Sequence, residues 1–412
     1  MSSWKRYELK YLCEGIIDCV NKTAPISSIP TEYKMLRTSD IRDGRINLEN
    51  LNCVSFETFK KWTRRGELKQ GDIVFTREAP LGEVGLVKEA KNLFLGQRLV
   101  LFRANKDVCD NRFLLYALMY YDNKQAIISK GVGSTVLHLR VPECEKITIS
   151  APNLITQRRI ADILSAYDDL IENNRKQIKL LEEAAQRLYK EWFVDLRFPG
   201  HEHTKIVDGV PEGWGKLHIS DVCDTIGGGT PSTKVKEYYQ NGSIPWVTPT
   251  DITKNNSLVL LDTAAKITNE GLNNSSAKMV PPGTILMTSR ASVGFFGICN
   301  FPVCTNQGFI SCVPYQHDAQ MYLLYNLLNR VDEIRTKAGG STYLEISKKT
   351  FRDFEIVVPD TQVLTLFQIT AEKSIEQIRI LSTQILKLQQ ARDRLLPKLM
   401  SGEGRGSGGV KL

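Results

Sequence analysis

The 412-residue sequence predicts an α+β protein. Two mixed α/β domains are expected, separated by two long antiparallel coiled-coil helices, with the halves forming a pseudo-twofold internal repeat. Three observations predict this. One stretch recurs at an offset of 212 residues. Two segments hold a long apolar repeat of about 3.5 residues, the signature of a coiled coil. The sequence before each of those segments mixes short apolar runs with turn residues, as strands do.

The repeat is plainest where Gly71-Asp-Ile-Val-Phe-Thr-Arg77-Glu-Ala79-Pro-Leu-Gly82-Glu-Val-Gly85 lies without gaps on Gly283-Thr-Ile-Leu-Met-Thr-Ser-Arg290-Ala291-Ser-Val-Gly294-Phe-Phe-Gly297. The glycines and apolar positions coincide, and the arginines differ by one place. Further anchors keep the same order: Trp4 with Trp214, Asp40-Ile41 with Asp251-Ile252, and Gln97 with Gln307. Gly133-Ser-Thr135 pairs with Gly340-Ser-Thr342, and Pro152 with Pro359. A period this long is a domain duplication, far beyond any solenoid unit.

Within each copy, Asp72–Thr76 and Thr284–Thr288 read as strands, and Arg112–Tyr121 and Gln320–Val331 as helices. The first long helix places Ile160, Leu164, Tyr167, Ile171, Ile178, Leu181, Ala185, Leu188 and Trp192 on one seam, with Asn174 in a remaining slot. The second places Phe367, Ala371, Ser374, Ile378, Leu381, Ile385, Leu388, Arg392, Leu395 and Leu399 in the matching slots. Asn174 either fixes the register of the pair or sits at its wet edge. Leu180, Trp192 and Phe193 either form a docking face or are buried in the helix pair. Phe198-Pro199-Gly200 is expected to break the first helix. The expected boundaries are 1–155 and 199–360 for the domains, 156–198 and 361–403 for the helices, and 404–412 for a glycine-rich tail, either disordered or an artificial addition.

The net charge of +8 permits nucleic-acid binding but does not require it. Nine scattered cysteines without close CxxC pairs point to reduced core thiols and a cytoplasmic protein. No apolar run approaches the roughly 20 residues that span a bilayer, and no signal peptide opens the chain.

No active site is legible. The chain lacks an Asn-Pro-Pro-Tyr or Asp-Pro-Pro-Tyr tetrapeptide and a GxxxxGK[ST] loop. Pro359-Asp360 is not followed by Glu-x-Lys, so a capping role for Asp360 is the better reading. His201-Glu-His203 has no third ligand nearby, and no metal site is expected. Candidates for DNA contact are instead the polar and basic side chains of loops present in both copies. They are Arg77, Gln97, Lys130, Ser134 and Thr135 in the first copy. In the second they are Thr230, Ser232, Thr233, Thr248, Arg290, Gln307, Lys337, Ser341 and Thr342. Arg77 and Arg290 can reach a guanine edge, or serve a salt bridge or a phosphate. The loop Gly227–Thr233 reads as a polar surface loop whose glycines would let its amides approach a DNA backbone.

The phrases Gly228-Gly-Thr-Pro-Ser232, Ile244-Pro-Trp-Val-Thr-Pro-Thr-Asp251, Ser289-Arg-Ala-Ser-Val-Gly294 and Gln389-Gln-Ala-Arg-Asp-Arg-Leu-Leu396, in this order and with the duplication, resemble the specificity subunits of type I restriction–modification systems. The resemblance covers nearly everything up to Glu403. The first copy departs from it, reading Glu14-Gly-Ile-Ile-Asp18 where the second has Gly227-Gly-Gly-Thr-Pro231. The resemblance implies two target-recognition domains, each reading half of a bipartite double-stranded DNA site, with the paired helices as a ruler. It also implies two modification (methyltransferase) subunits using S-adenosylmethionine and motor-nuclease (restriction) subunits using ATP and magnesium. No cofactor, no catalysis and no membrane contact is implied for this chain. The alternatives are a single-chain restriction–modification enzyme, for which no cofactor motif is present, and a coiled-coil scaffold without sequence readout.

Overall fold

The computed structural model describes residues 4–255, 257–340 and 343–401. These form two compact units. One contains the chain up to Leu170 together with the segment from Leu388 on; the other runs from Ile171 to Lys387.

In the first unit the main strands are β1 (Lys5–Glu8), β2 (Cys13–Asp18), β3 (Lys34–Leu36), β4 (Asn52–Cys53), β5 (Ile73–Thr76), β6 (Val84–Leu86), β7 (Leu93–Leu95) and β8 (Leu99–Ala104). The helix α1 (Asn111–Met119), the strand β9 (Thr148–Ala151) and the long helix α2 (Leu154–Tyr189) follow. One sheet has the order β2-β8-β5-β6 and is antiparallel throughout. A second has the order β4-β3-β7, with β3 and β7 parallel. The pair β1–β9 stands apart.

Period-two alternation explains why the first sheet lies between two layers. Ile73, Phe75, Val100 and Phe102 face α1 and the start of α2. Val74, Leu99 and Leu101 face Leu36, Leu93 and Leu95 of the second sheet. Both faces are covered, which is why β5 and β8 read as continuous apolar runs. Asp110 caps α1, accepting from the backbone N–H groups of Arg112 and Phe113.

The second unit repeats the plan. Its main strands are β10 (Gly215–His218), β11 (Cys223–Gly227), β12 (Ile244–Val247), β13 (Ala265–Ile267), β14 (Met279–Val280), β15 (Ile285–Thr288), β16 (Phe296–Ile298), β17 (Val303–Thr305) and β18 (Phe309–Pro314). The helix α3 (Gln320–Asn329), the strand β19 (Glu355–Val358) and the long helix α4 (Thr361–Met400) complete it. The sheet β11-β18-β15-β16 has the order of its counterpart, β12 and β17 are parallel like β3 and β7, and β10 pairs with β19 as β1 does with β9. Ile285, Met287 and Ile310 face α3 and the long helices, while Leu286 and Phe309 face Val247 and Val303.

Both long helices contribute to both units. In the first, Ile160 and Leu164 pack in the core with Leu395, Leu399 and Met400, and Leu388 is half-buried nearby along α4. In the second, Ile178, Leu181 and Leu188 join Phe367, Ile378, Leu381 and Ile385 in one core, and Ile171 is fully buried. The order of the partners makes the helices antiparallel within each unit. Asn153 and Asp360 cap them, each carboxamide or carboxylate oxygen accepting from a backbone N–H two or three residues on.

Three seam slots are polar, and of these Ser374 is half-buried. Asn174 is buried and donates from Nδ2 to Gln384 Oε1 at 3.1 Å, so it lies inside the seam and not at its wet edge. Arg392 is buried too, with Nη1 at 2.6 Å from Asp168 Oδ1. Asp168 also accepts from Tyr116 Oη at 2.6 Å and lies 3.5 Å from Arg45. Of the suggested docking residues, Trp192 and Phe193 pack against Phe367, with ring centroids 5.9 and 5.0 Å away. Leu180 alone of the three is exposed. The first helix ends before the expected Phe198-Pro199-Gly200 break. A wider turn at Lys190–Val194 follows Tyr189, and Leu196 takes a left-handed backbone with φ of 56°.

All nine cysteines are free, and seven are buried. Burial pushes the thiols of Cys13, Cys144 and Cys304 up to about 12. Half-buried Cys53 goes the other way, held below the usual thiol range by Lys34 Nζ at 2.9 Å.

Candidate nucleic-acid interface

The same set of loops meets at one edge of each unit. In the first, the backbone N–H of Arg77, just past β5, donates to Arg98 O at 2.9 Å, and Arg77 O accepts from Leu139 N–H at 2.9 Å. That joins the β5–β6 loop to the β7–β8 loop and to a hairpin closed by reciprocal bonds between Val132 and His138. Gly96 N–H donates to Leu36 O at 2.9 Å, bringing in the turn after β3. Gln97 reaches the loop after β2, accepting from Thr23 Oγ1 at 3.3 Å and donating to Asn21 at 3.4 Å.

The second unit reproduces this bond by bond. Ser289 N–H donates to Gly308 O at 2.8 Å, and Ser289 O accepts from Ile346 N–H at 3.0 Å. Gly339 and Glu345 close the corresponding hairpin. Asn306 N–H donates to Val247 O at 3.0 Å. Gln307 accepts from Thr230 Oγ1, as Gln97 accepts from Thr23. The paired glutamines thus occupy matching places, each tying the loop after β2 or β11 to the edge.

The two arginines do not. By these bonds Arg77 corresponds to Ser289, and Arg290 to Glu78. A one-residue offset on an extended segment turns a side chain to the opposite face. Arg77 turns inward: its side chain is 15% exposed, 3.0 Å from Asp18 Oδ1, and donates to Leu139 O. The Asp18 contact is ionic only, since Oδ1 has no hydrogen-bond partner. Arg290 turns outward, 49% exposed, with Glu345 at 3.5 Å. The ladder explains the difference further. Asp18 stands opposite Val100 in β8, and the corresponding place opposite Ile310 in β18 is Gly227. The second unit therefore has no carboxylate at that place.

Ser134 and Thr135 sit exposed on the hairpin tip, and exposed Lys130 donates to Lys146 O at 3.3 Å. Lys337 is exposed just before the corresponding hairpin, whose Ser341 and Thr342 lie outside the described residues. Thr230, Ser232 and Thr233 are exposed. Thr248 is held by Asp251, its Oγ1 at 2.7 Å, and opens the short helix Pro249–Thr253. The glycines before Thr230 serve packing within the protein. A Cβ on Gly228 would lie 2.1 Å from Asn306 O, and one on Gly229 would lie 2.3 Å from Ser276 Oγ.

Sequence reasoning missed Arg98. It is exposed between the paired loops, holds a left-handed φ of 72°, and lies 3.4 Å from Glu78. Its counterpart is Gly308, so the Gln97–Gln307 match was the available signal. Tyr343 and Leu344, 61% and 48% exposed beside the second hairpin, were missed as well. Each edge therefore presents amides, hydroxyls and a guanidinium. Such groups donate to and accept from base edges.

The sequence model of the type I restriction modification DNA specificity domain matches residues 1–183 and again residues 211–383. The chain belongs to this family. Over 470 aligned residues it is 24% identical to the specificity subunit of the type I restriction enzyme HindI of Haemophilus influenzae, covering 98% of this chain and all of that one. The specificity subunit of MjaIX from Methanocaldococcus jannaschii is 34% identical over 188 residues, 43% of each chain. The crystal structure of a type I restriction-modification S subunit from M. genitalium superposes with a TM-score of 0.59 at 17% identity, over 97% of this chain and 96% of that one. The double match of the specificity domain has its structural counterpart in the two units and their matching loop edges.

Proposed function

We propose that this chain is the non-catalytic sequence-specificity subunit of a type I restriction–modification complex. Each unit reads one half of a bipartite double-stranded DNA site through its loop edge. The observation that carries this is the loop edge built twice on one backbone plan but with different exposed side chains. Matching frames with unequal side chains suit two half-sites of different sequence.

The partner subunits complete the reading. Two modification subunits that methylate adenine with S-adenosylmethionine dock on the long helices, and motor-nuclease subunits using ATP and magnesium join for restriction. The setting is the cytoplasm. No described helix is long and apolar enough to cross a membrane.

The test is to co-express the chain with a cognate modification subunit and map adenine methylation across a genome. Methylation at one split motif, lost when the chain is omitted, is expected. Methylation indifferent to the chain would leave only the scaffold reading.

A further inference from the structure

One helix-and-turn segment of the first unit holds a denser run of cations than its counterpart in the second. After β4, Ser55 caps the helix Phe56–Trp62, accepting from Thr58 N–H at 3.2 Å. After β13, Thr268 caps the helix Asn269–Asn273 in the same way, accepting from Gly271 N–H at 3.1 Å. The two segments are structural counterparts with different charge. From Ser55 to Gly71 the chain holds Lys60, Lys61, Arg64, Arg65 and Lys69 against Glu57 and Glu67. From Thr268 to Gly283 it holds only Lys278 against Glu270.

Among the described residues Lys22, Lys60, Lys61 and Arg64 are exposed and have no acid within ion-pair distance. Exposed cations without acids are free to meet phosphates. The surface also adjoins the loop edge. Trp62 Nε1 donates to Lys22 O at 3.2 Å, and Lys61 lies over the Trp62 ring at 5.7 Å. Arg65 donates to Cys19 O at 2.6 Å and pairs with Asp18 at 3.0 Å, the carboxylate that also holds Arg77. Lys22 immediately precedes Thr23, which bonds to Gln97.

From this juxtaposition we infer that Lys22, Lys60, Lys61 and Arg64 form a phosphate clamp of the first unit, gripping the DNA backbone beside its half-site. The first unit is then anchored by charge beside the loops that read its half-site. This rests on the DNA-reading function proposed above.

The experiment uses the full chain with its modification subunits and two labelled duplexes, one carrying the mapped motif and one of random sequence, titrated against KCl. The variants are K60Q/K61Q/R64Q and, as the matched control, K266Q/K278Q in the second unit. The first is expected to make the slope of log affinity on log salt shallower by about 3, at roughly 0.9 for each phosphate no longer neutralised. Its affinity should fall by the same factor on both duplexes, about tenfold or more. The control should shift neither quantity by as much. In the unmodified complex, bound DNA should protect Lys60 and Lys61 from acetylation, which keeps the test independent of how the variants fold.

An unchanged slope with motif discrimination intact, or unprotected lysines, overturns the clamp and leaves the reading function standing. A loss confined to the motif duplex overturns it in favour of base contact. Loss of modification-subunit binding at constant slope overturns it in favour of a protein-docking surface. If the unmodified complex does not tell the two duplexes apart, the reading function falls and the clamp with it.

Discussion

Arg77 and Arg290 show how one residue of offset separates two roles. Arg290, exposed beside Glu345, is expected to read a base or lie close to one. Substitution by Ala should relax discrimination at one base position by about 1–3 kcal/mol. Binding to a panel of single-mismatch duplexes checks this, and an equal loss on every duplex would assign Arg290 to a phosphate. Arg77→Ala should instead lower the stability of the first unit by about 1–3 kcal/mol, because Asp18 loses one of two cations and Leu139 O a donor. Discrimination should survive; thermal melting beside the same duplex panel separates the effects. The sequence showed both arginines in matching glycine-rich loops and the offset between them. It did not show which face each side chain takes, since that depends on strand pairing and on Asp18, contributed by a strand far back in the chain. The Gln97–Gln307 match was legible because both glutamines make the same local tie.

The long helices were the most legible elements, because a 3.5-residue period is written in the residues themselves. What fills the polar slots was not. Arg392 stood as a gap in an apolar seam, and its partner Asp168 is 224 positions away. Asp168→Ala removes that partner and leaves a buried guanidinium with exposed Asp393 as its one remaining acid among the described residues. A cost of about 3–5 kcal/mol to the first unit is expected. Asp168→Asn, which keeps a hydrogen-bond acceptor, should cost less; chemical denaturation of both variants tests the order. Tyr116 makes the site more sensitive still, since it donates to the same carboxylate and its own ionisation is suppressed by burial.

For the whole molecule, the proposed reading makes the helices a ruler. At 1.5 Å per residue, the 36 residues of α2 and 40 of α4 are about 54 and 60 Å long. Inserting one helical turn in both should lengthen the gap between the half-sites that are methylated, and methylome mapping of the variant reads this directly. An unchanged gap defeats the ruler. Duplication and antiparallel helices were foreseeable from the sequence; the sharing of both helices between both units was not, because apolar periodicity names a seam without naming the cores at its ends.

That sharing orders the birth of the molecule. The strands of the first unit leave the ribosome early, yet Leu395, Leu399 and Met400 of its core are made only after the whole of the second unit. The second unit, from Ile171 to Lys387, is complete in one uninterrupted stretch. During synthesis the second unit can therefore close first, while the first waits for the segment after Lys387. A nascent chain cut short before Leu388 should hold a finished second unit and an unfinished first one.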